Sequence, residues 1–296
     1  MKRDRALKEA RTLALPVFFM AATAALAGLF AGGEGPGTMV NAWGRSVDLA
    51  AKGVYARDSV SGAVQEQAQD LVTLAFALPL LAAGYFLSRR GSSGSRLLLA
   101  GALGYFLYCY GMMAVGTAYN IFFLLYVALF AASLWGFVLA LSSIDAEELA
   151  ARCSATFPRR AAIALCAAMS AFLGLNWIGG IVLPALRAGA EPAGLDSYHT
   201  LFVQAIDLAV LVPAGIVCAV WLARRSARGY LLGAVVAVKG AAEGLAVAAM
   251  GFNMMRTGVA EAASSLPMVL GFLALALSAI VVGALALKSA GFKERT

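Results

Sequence analysis

Gln67-Ala68-Gln69-Asp70-Leu71 and Gln204-Ala205-Ile206-Asp207-Leu208 are the stretches that decide the fold. Each places an aspartate at the mouth of a long apolar run. Each run then meets a proline (Pro79, Pro213) and ends on a double arginine (Arg89-Arg90, Arg224-Arg225). A second apolar run follows each, opening on leucines (Leu97-Leu98-Leu99, Leu231-Leu232). A carboxylate at membrane depth is expensive, so one used twice in the same setting calls for a partner or a task.

Composition places these runs in a bilayer. The chain has 296 residues, 61% hydrophobic and 13% charged, against about 45–50% and about 25% for a soluble domain. Eight segments can each span roughly 30 Å of hydrocarbon as a helix: 12–31, 67–88, 97–117, 120–142, 161–184, 201–222, 229–250 and 266–288. Lipid offers no hydrogen bonds to the backbone, so the runs must be helical. The fold class expected is an all-α integral membrane protein.

The basic residues set the expected orientation. One set of chain segments holds Lys2, Arg3, Arg5, Lys8 and Arg11, then Arg89, Arg90 and Arg96, then Arg152, Arg159 and Arg160. It continues with Arg224, Arg225 and Arg228, and then Lys288, Lys293 and Arg295. The other set holds only Arg45, Lys52, Arg57, Arg187 and Arg256. The expectation is a multi-pass protein of a bacterial cytoplasmic membrane with both termini cytoplasmic. The net charge of +7 is this bias; basic residues gathered at span ends do not suit nucleic acid. The first span, with its basic start and alanine-rich end, has some features of a cleaved signal peptide, but its apolar stretch is long for that role and a retained helix is favoured.

The features recur at offsets of 137 residues (Asp70 and Asp207) and 135 residues (Arg89 and Arg224). Extended outward, spans one to four repeat as five to eight. The chain then divides into halves 1–142 and 143–296, related by an axis along the membrane normal. Binding sites tend to lie between such halves. Coincidence is the competing reading, because these are cheap patterns in an alanine-rich, positive-inside chain.

Asp207 lies six residues inside span six, about 9 Å deep. Reflected through the turn after Arg224, that depth falls close to Glu243 on span seven, and Lys239 shares the face of Glu243 one turn earlier. Asp207, Lys239 and Glu243 are therefore expected to form one cluster, since three isolated charges would each cost about 2.5–3.5 kcal/mol. Two acids and one base do not balance, and a shared proton or bound cation would resolve the excess. The bland alternative is a buried ion pair that fixes helix register. Pro213 loosens the helix below Asp207, and Gly240 and Gly244 permit close helix approach.

The first half offers Asp70, a tyrosine stripe (Tyr105, Tyr108, with Met112, Val115 and Tyr119) and Asn120, which opens span four, and Asn176 lies in the outer part of span five. An outward-opening pocket would explain this polarity; packing tyrosines and interfacial belts would also explain it. Trp43 and Tyr55 in the long connection 32–66 are expected as interface anchors around a short amphipathic element. The four cysteines read as small core residues, and a single histidine, His199, rules out a histidine-based metal centre. HExxH, GxSxG and Walker A patterns are absent. No cofactor is expected.

The Gln-Asp-Leu entries, with Tyr119-Asn120 followed by Phe122-Phe123-Leu124-Leu125-Tyr126, resemble an uncharacterised class of bacterial multi-pass membrane proteins, a resemblance that brings no activity with it. The functional expectation is a protein that binds or transports a small solute, proton or cation. A membrane enzyme or assembly factor acting on a lipid or extracytoplasmic partner, and a structural or sensory bundle, are the alternatives. Oligomeric state is not legible.

Overall fold

The computed structural model describes residues 2–259 and 265–291. Lys293 and Arg295 of the predicted basic end lie outside the described residues. Among the described residues, eight helices are long and apolar enough to cross a membrane. They are α1 (Lys2–Phe30), α2 (Val60–Arg90), α3 (Ser93–Gly116), α4 (Phe123–Ser142), α6 (Arg159–Ala188), α7 (Phe202–Ala223), α8 (Ala227–Thr257) and α9 (Leu266–Ser289). A short helix, α5 (Ala146–Cys153), joins α4 to α6 and is capped by the Asp145 carboxylate on the Glu147 and Glu148 amides.

Apolar cores fell where expected, and polar ends extended them. Helix α2 begins seven residues before the predicted span because Ser59 accepts from the Gly62 amide and starts a helix whose first turns carry Gln65, Glu66 and Gln67. A hydropathy window cannot see such turns, but an N-cap serine stabilises them by about 1 kcal/mol. Helix α8 likewise starts after Ser226 and runs to Gly258, whose positive φ of 75° stops it.

Helices α3 and α8 form the centre. Their most apolar windows are 78% and 56% buried, whereas the other six stand at 22–33%. The pair is close because Gly101 has no side chain where Val238 packs. The expected GxxxG of Gly240 and Gly244 packs against α9, where Gly244 meets the backbone of Ala276 and Gly240 meets Ala279. Helix α1 buries Ala10, Ala14, Val17, Ala21 and Ala24 as one face, mainly against α4. Cys166 and Cys218 lie side by side on α6 and α7, Sγ to Sγ 3.4 Å, and all four cysteines are free and buried.

The connection 32–66 is a β-hairpin, not an amphipathic surface element. Strands β1 (Thr38–Val40) and β2 (Ser46–Asp48) pair antiparallel, Met39 opposite Val47. The turn suits its residues: Asn41 Oδ1 accepts from the Trp43 and Arg45 amides, and Gly44 supplies φ 75°. Asn41 and Arg45 also reach Glu191, at 2.7 and 2.9 Å, tying the hairpin to the α6–α7 connection. Trp43 is exposed, but Tyr55 is 1% exposed and therefore no interface anchor. Its hydroxyl serves Asp70 instead.

The same local devices occur twice at a constant spacing of 134 residues. In α2 the Leu78 amide reaches back five residues to Thr73, one position before Pro79; in α7 the Val212 amide reaches Asp207, one position before Pro213. Gly91 and Arg225 both take positive φ at the following turn, and Ser92 and Ser226 both precede the next helix. A proline has no N–H for the normal ladder and crowds the preceding turn, and a wide turn relieves both. At this spacing Asp207 corresponds to Thr73, three residues after Asp70, and Lys239 corresponds to Tyr105.

Candidate functional site

Asp207 sits in the wide turn of α7, 3% exposed. Its two carboxylate oxygens are held by two different helices. The Tyr108 hydroxyl of α3 donates to Oδ1 at 2.5 Å, and the Trp177 indole N–H of α6 donates to Oδ2 at 2.8 Å. Trp177 itself lies in a wide-turn segment, Leu175–Val182. Hydrogen bonds to a charged group are worth about 1.5–3 kcal/mol each, enough to hold a carboxylate in place where water is scarce.

Helix α8 supplies the other charges. The Lys239 ammonium stands 3.9 Å from the centroid of the Tyr108 ring, a cation–π distance. It lies 3.4 Å from Glu243 Oε2, within ion-pair range but without the alignment of a hydrogen bond, so that oxygen is buried with no hydrogen-bond partner. Tyr108 thus bridges the two halves of the cluster, its hydroxyl on Asp207 and its face on Lys239. The arrangement carries two potential negative charges and one positive, all at low exposure.

The structure brings Asp207, Lys239 and Glu243 near one another, the grouping expected from the sequence, and adds Tyr108, expected in a separate stripe, and Trp177. Other predicted residues go elsewhere. Tyr105 is fully buried and shares a 2.8 Å hydrogen bond with Thr73 of α2. Asn176 donates to Phe172 O in its own helix at 2.7 Å. Asn120 Oδ1 accepts from the Phe122 amide in the turn before α4, while its Nδ2 is buried and unpartnered. The tyrosine stripe does not line one pocket. Val115 and Tyr119 are 63% and 76% exposed.

Asp70 belongs to a second group at the hairpin end. It is 1% exposed and accepts from the Tyr55 hydroxyl at 2.6 Å. Glu66 Oε1 accepts from Thr117 Oγ1 at 2.6 Å, and Asp58 Oδ1 accepts from the Ala118 amide at 2.7 Å. Asp58 lies before α2, and burial pushes its carboxyl up to about 6 despite that amide. Burial, with Asp70 beside it, likewise holds the Tyr55 hydroxyl above its ordinary value, so Tyr55 remains a donor.

Two cavities, of about 580 and 940 Å³, lie at the opposite, arginine-rich end, lined by residues such as Arg3, Arg96 and Arg152 and by Arg159, Arg160 and Arg225. They are remote from the Asp207 cluster and carry no part of its chemistry. Among the described residues no three histidine, cysteine, aspartate or glutamate side chains converge to hold a metal ion.

No protein-family profile, curated protein or solved structure matches this chain.

Proposed function

We propose that the chain is a multi-pass protein of a bacterial cytoplasmic membrane that binds, and moves across it, a small solute or ion of positive charge, with Asp207 as the central anionic group. The carrying observation is convergence: Tyr108, Trp177, Lys239 and Glu243, from three helices, surround one carboxylate in a wide turn of a spanning helix. Wide turns inside helices recur at functional sites, where they interrupt the regular hydrogen-bond ladder. A net negative cluster takes a cation or a proton in preference to an anion. The bilayer contact follows from the eight apolar helices, and cytoplasmic termini follow from the basic bias.

The constant 134-residue spacing supports descent of α1–α4 and α6–α9 from one duplicated unit in parallel orientation, with α3 and α8 as the equivalent central helices. On that reading the first half keeps the uncharged pair Thr73–Tyr105 where the second has Asp207 and Lys239. The site is a specialisation of one half.

The test is flux. Proteoliposomes holding the wild-type chain or Asp207→Asn are given inward gradients of protons, alkali cations and small amines. The reading expects uptake of one of these by the wild type and at least a tenfold lower rate in the variant, roughly 1.4 kcal/mol or more. Equal rates in both, matching empty vesicles, would remove transport from consideration and leave the cluster as a packing device.

A further inference from the structure

The group at the hairpin end has a property the Asp207 cluster lacks. Asp58 and Asp70 are buried and Glu66 is half-buried, and among the described residues none of these three carboxyl groups forms an ion pair with a basic side chain. Each has one oxygen satisfied by a neutral donor: Ala118 N–H, Thr117 Oγ1 and the Tyr55 hydroxyl. Glu66 Oε2 is buried with no partner. Two further polar atoms are buried and unpartnered, the hydroxyl of Tyr126, which is 2% exposed, and Asn120 Nδ2. Tyr126 lies within the electrostatic reach of Glu66 and Asp70 and borders Asn120 and Tyr55.

The elements packed around it offer no compensating charge. Helix α1 contributes Gly28, whose bare Cα leaves the room that the Asp70 carboxylate and Tyr55 hydroxyl occupy. Helix α4 contributes Tyr126, and α3 contributes Tyr110 and Cys109, all within reach of Asp70. Helix α8 packs along the start of α2 through Asn253, which donates to Val64 O, while Arg256 stays exposed on Asn253. Lys52 and Arg57 of the preceding loop are exposed. An uncompensated carboxylate inside a bundle costs several kcal/mol, so something must supply positive charge.

We propose that Asp58, Glu66 and Asp70 form a proton-binding antechamber at the hairpin end of the bundle, distinct from the Asp207 cluster. A proton from water bonds to Glu66 Oε2 and cancels its charge; its departure returns the oxygen to carboxylate. A metal ion is the poorer occupant, because the three acids do not converge on one point. The antechamber has a polar line toward the deeper site. Thr73 and Tyr105 share a hydrogen bond, Cys109 borders Tyr105, and Cys109 is within the electrostatic reach of Asp70 and also of Glu243 and Lys239. The antechamber itself does not require that the Asp207 cluster transports anything.

The experiment is infrared spectroscopy of the purified full chain in lipid nanodiscs, stepped between about pH 5 and 9, for the wild type, Glu66→Gln and Asp58→Asn. Gln is isosteric with a neutral Glu and keeps an acceptor for Thr117, so Glu66→Gln should fold with an unchanged Tm near neutral pH. The wild type should show the carbonyl stretch of a protonated carboxyl near neutral pH, fading as pH rises. Glu66→Gln should lose a component of that band, and Asp58→Asn should shift the pH at which it fades. Identical bands in wild type and Glu66→Gln would overturn the proposal, as would failure of Glu66→Gln to fold, since the position would then require a charge. Loss of the band on adding sodium, potassium or calcium chloride at fixed pH would assign the site to a metal cation instead.

Discussion

Tyr108 donates its hydroxyl to Asp207 at 2.5 Å while its ring carries the Lys239 ammonium 3.9 Å from the centroid. One side chain of the central helix α3 therefore ties the wide turn of α7 to the charged face of α8. Tyr108→Phe keeps the ring and removes only the hydroxyl, leaving Asp207 with the Trp177 donor alone. The expected loss is about 1–3 kcal/mol of stability, read as a lower Tm in detergent. Trp177→Phe should cost a similar amount, and the double variant more than the sum of the two if the carboxylate is then left bare.

Lys239 and Glu243 make the clearest coupled pair. Lys239→Met alone leaves Glu243 and Asp207 facing each other in low dielectric, a loss of about 3–5 kcal/mol for a broken buried pair. Lys239→Met with Glu243→Gln removes both charges and should recover much of that loss. Folded yield and Tm for the two single variants and the double measure it; an additive double variant would mean the residues do not interact.

Gly28 is small because Asp70 and Tyr55 occupy the space a Cβ would need. Gly28→Ala should destabilise by about 1–3 kcal/mol and should break the Tyr55–Asp70 hydrogen bond, whereas Gly32→Ala, with nothing near its Cα, should be silent. Thermal melts of the two variants side by side provide the comparison.

Asp58 gives a pH dependence with a definite sign. Its folded value of about 6 lies above an unfolded aspartate near 3.9, so between these the folded chain binds more protons than the unfolded one. Stability from this group therefore falls as pH rises from about 4 to 6 and stays lower above, by on the order of 3 kcal/mol. Asp58→Asn, whose amide oxygen can still accept from Ala118, should flatten that part of the Tm-against-pH curve. An unchanged slope would mean that Asp58 is ionised throughout.

The topology is testable by reporter fusions. Fusions at Ser92 and Ser226 should read as cytoplasmic and a fusion at Gly189 as external. A cytoplasmic reading at Gly189 would overturn the arrangement drawn from the basic residues.

The helical fold was legible because each crossing needs a long apolar run, and composition reveals such runs directly. Their ends were not, since Ser59, Ser92 and Ser226 set them through local geometry that hydropathy averages away. The hairpin was missed because its strands are three residues long and its register is held by Asn41 and distant Glu191. Within the site, depth matching found Lys239 and Glu243 but was applied to one turn only. Reflecting residue 207 through the middle of the connection between the predicted spans 161–184 and 201–222, near 193, gives about 178, next to Trp177. Asp58 and Glu66 escaped notice because they fell in a segment read as loop; only the early start of α2 and the Gly28 gap bring them against Asp70. The aspartates, 137 residues apart, do not share the spacing of 134 at which the turn before each proline and the serine before each following helix recur.

The central claim is that Asp207 is an anionic group that binds a cation or proton and not merely a packed one. Trp177 reports on it directly, because its indole N–H is bonded to the carboxylate. Tryptophan emission of the purified chain, titrated with protons, sodium, potassium and small amines, is the measurement. Occupation of Asp207 should weaken the indole bond and shift the emission for one of these ions, and both Asp207→Asn and Trp177→Phe should abolish the shift. A shift that persists in Asp207→Asn, or emission in the wild type that none of these ions alters, would contradict the account.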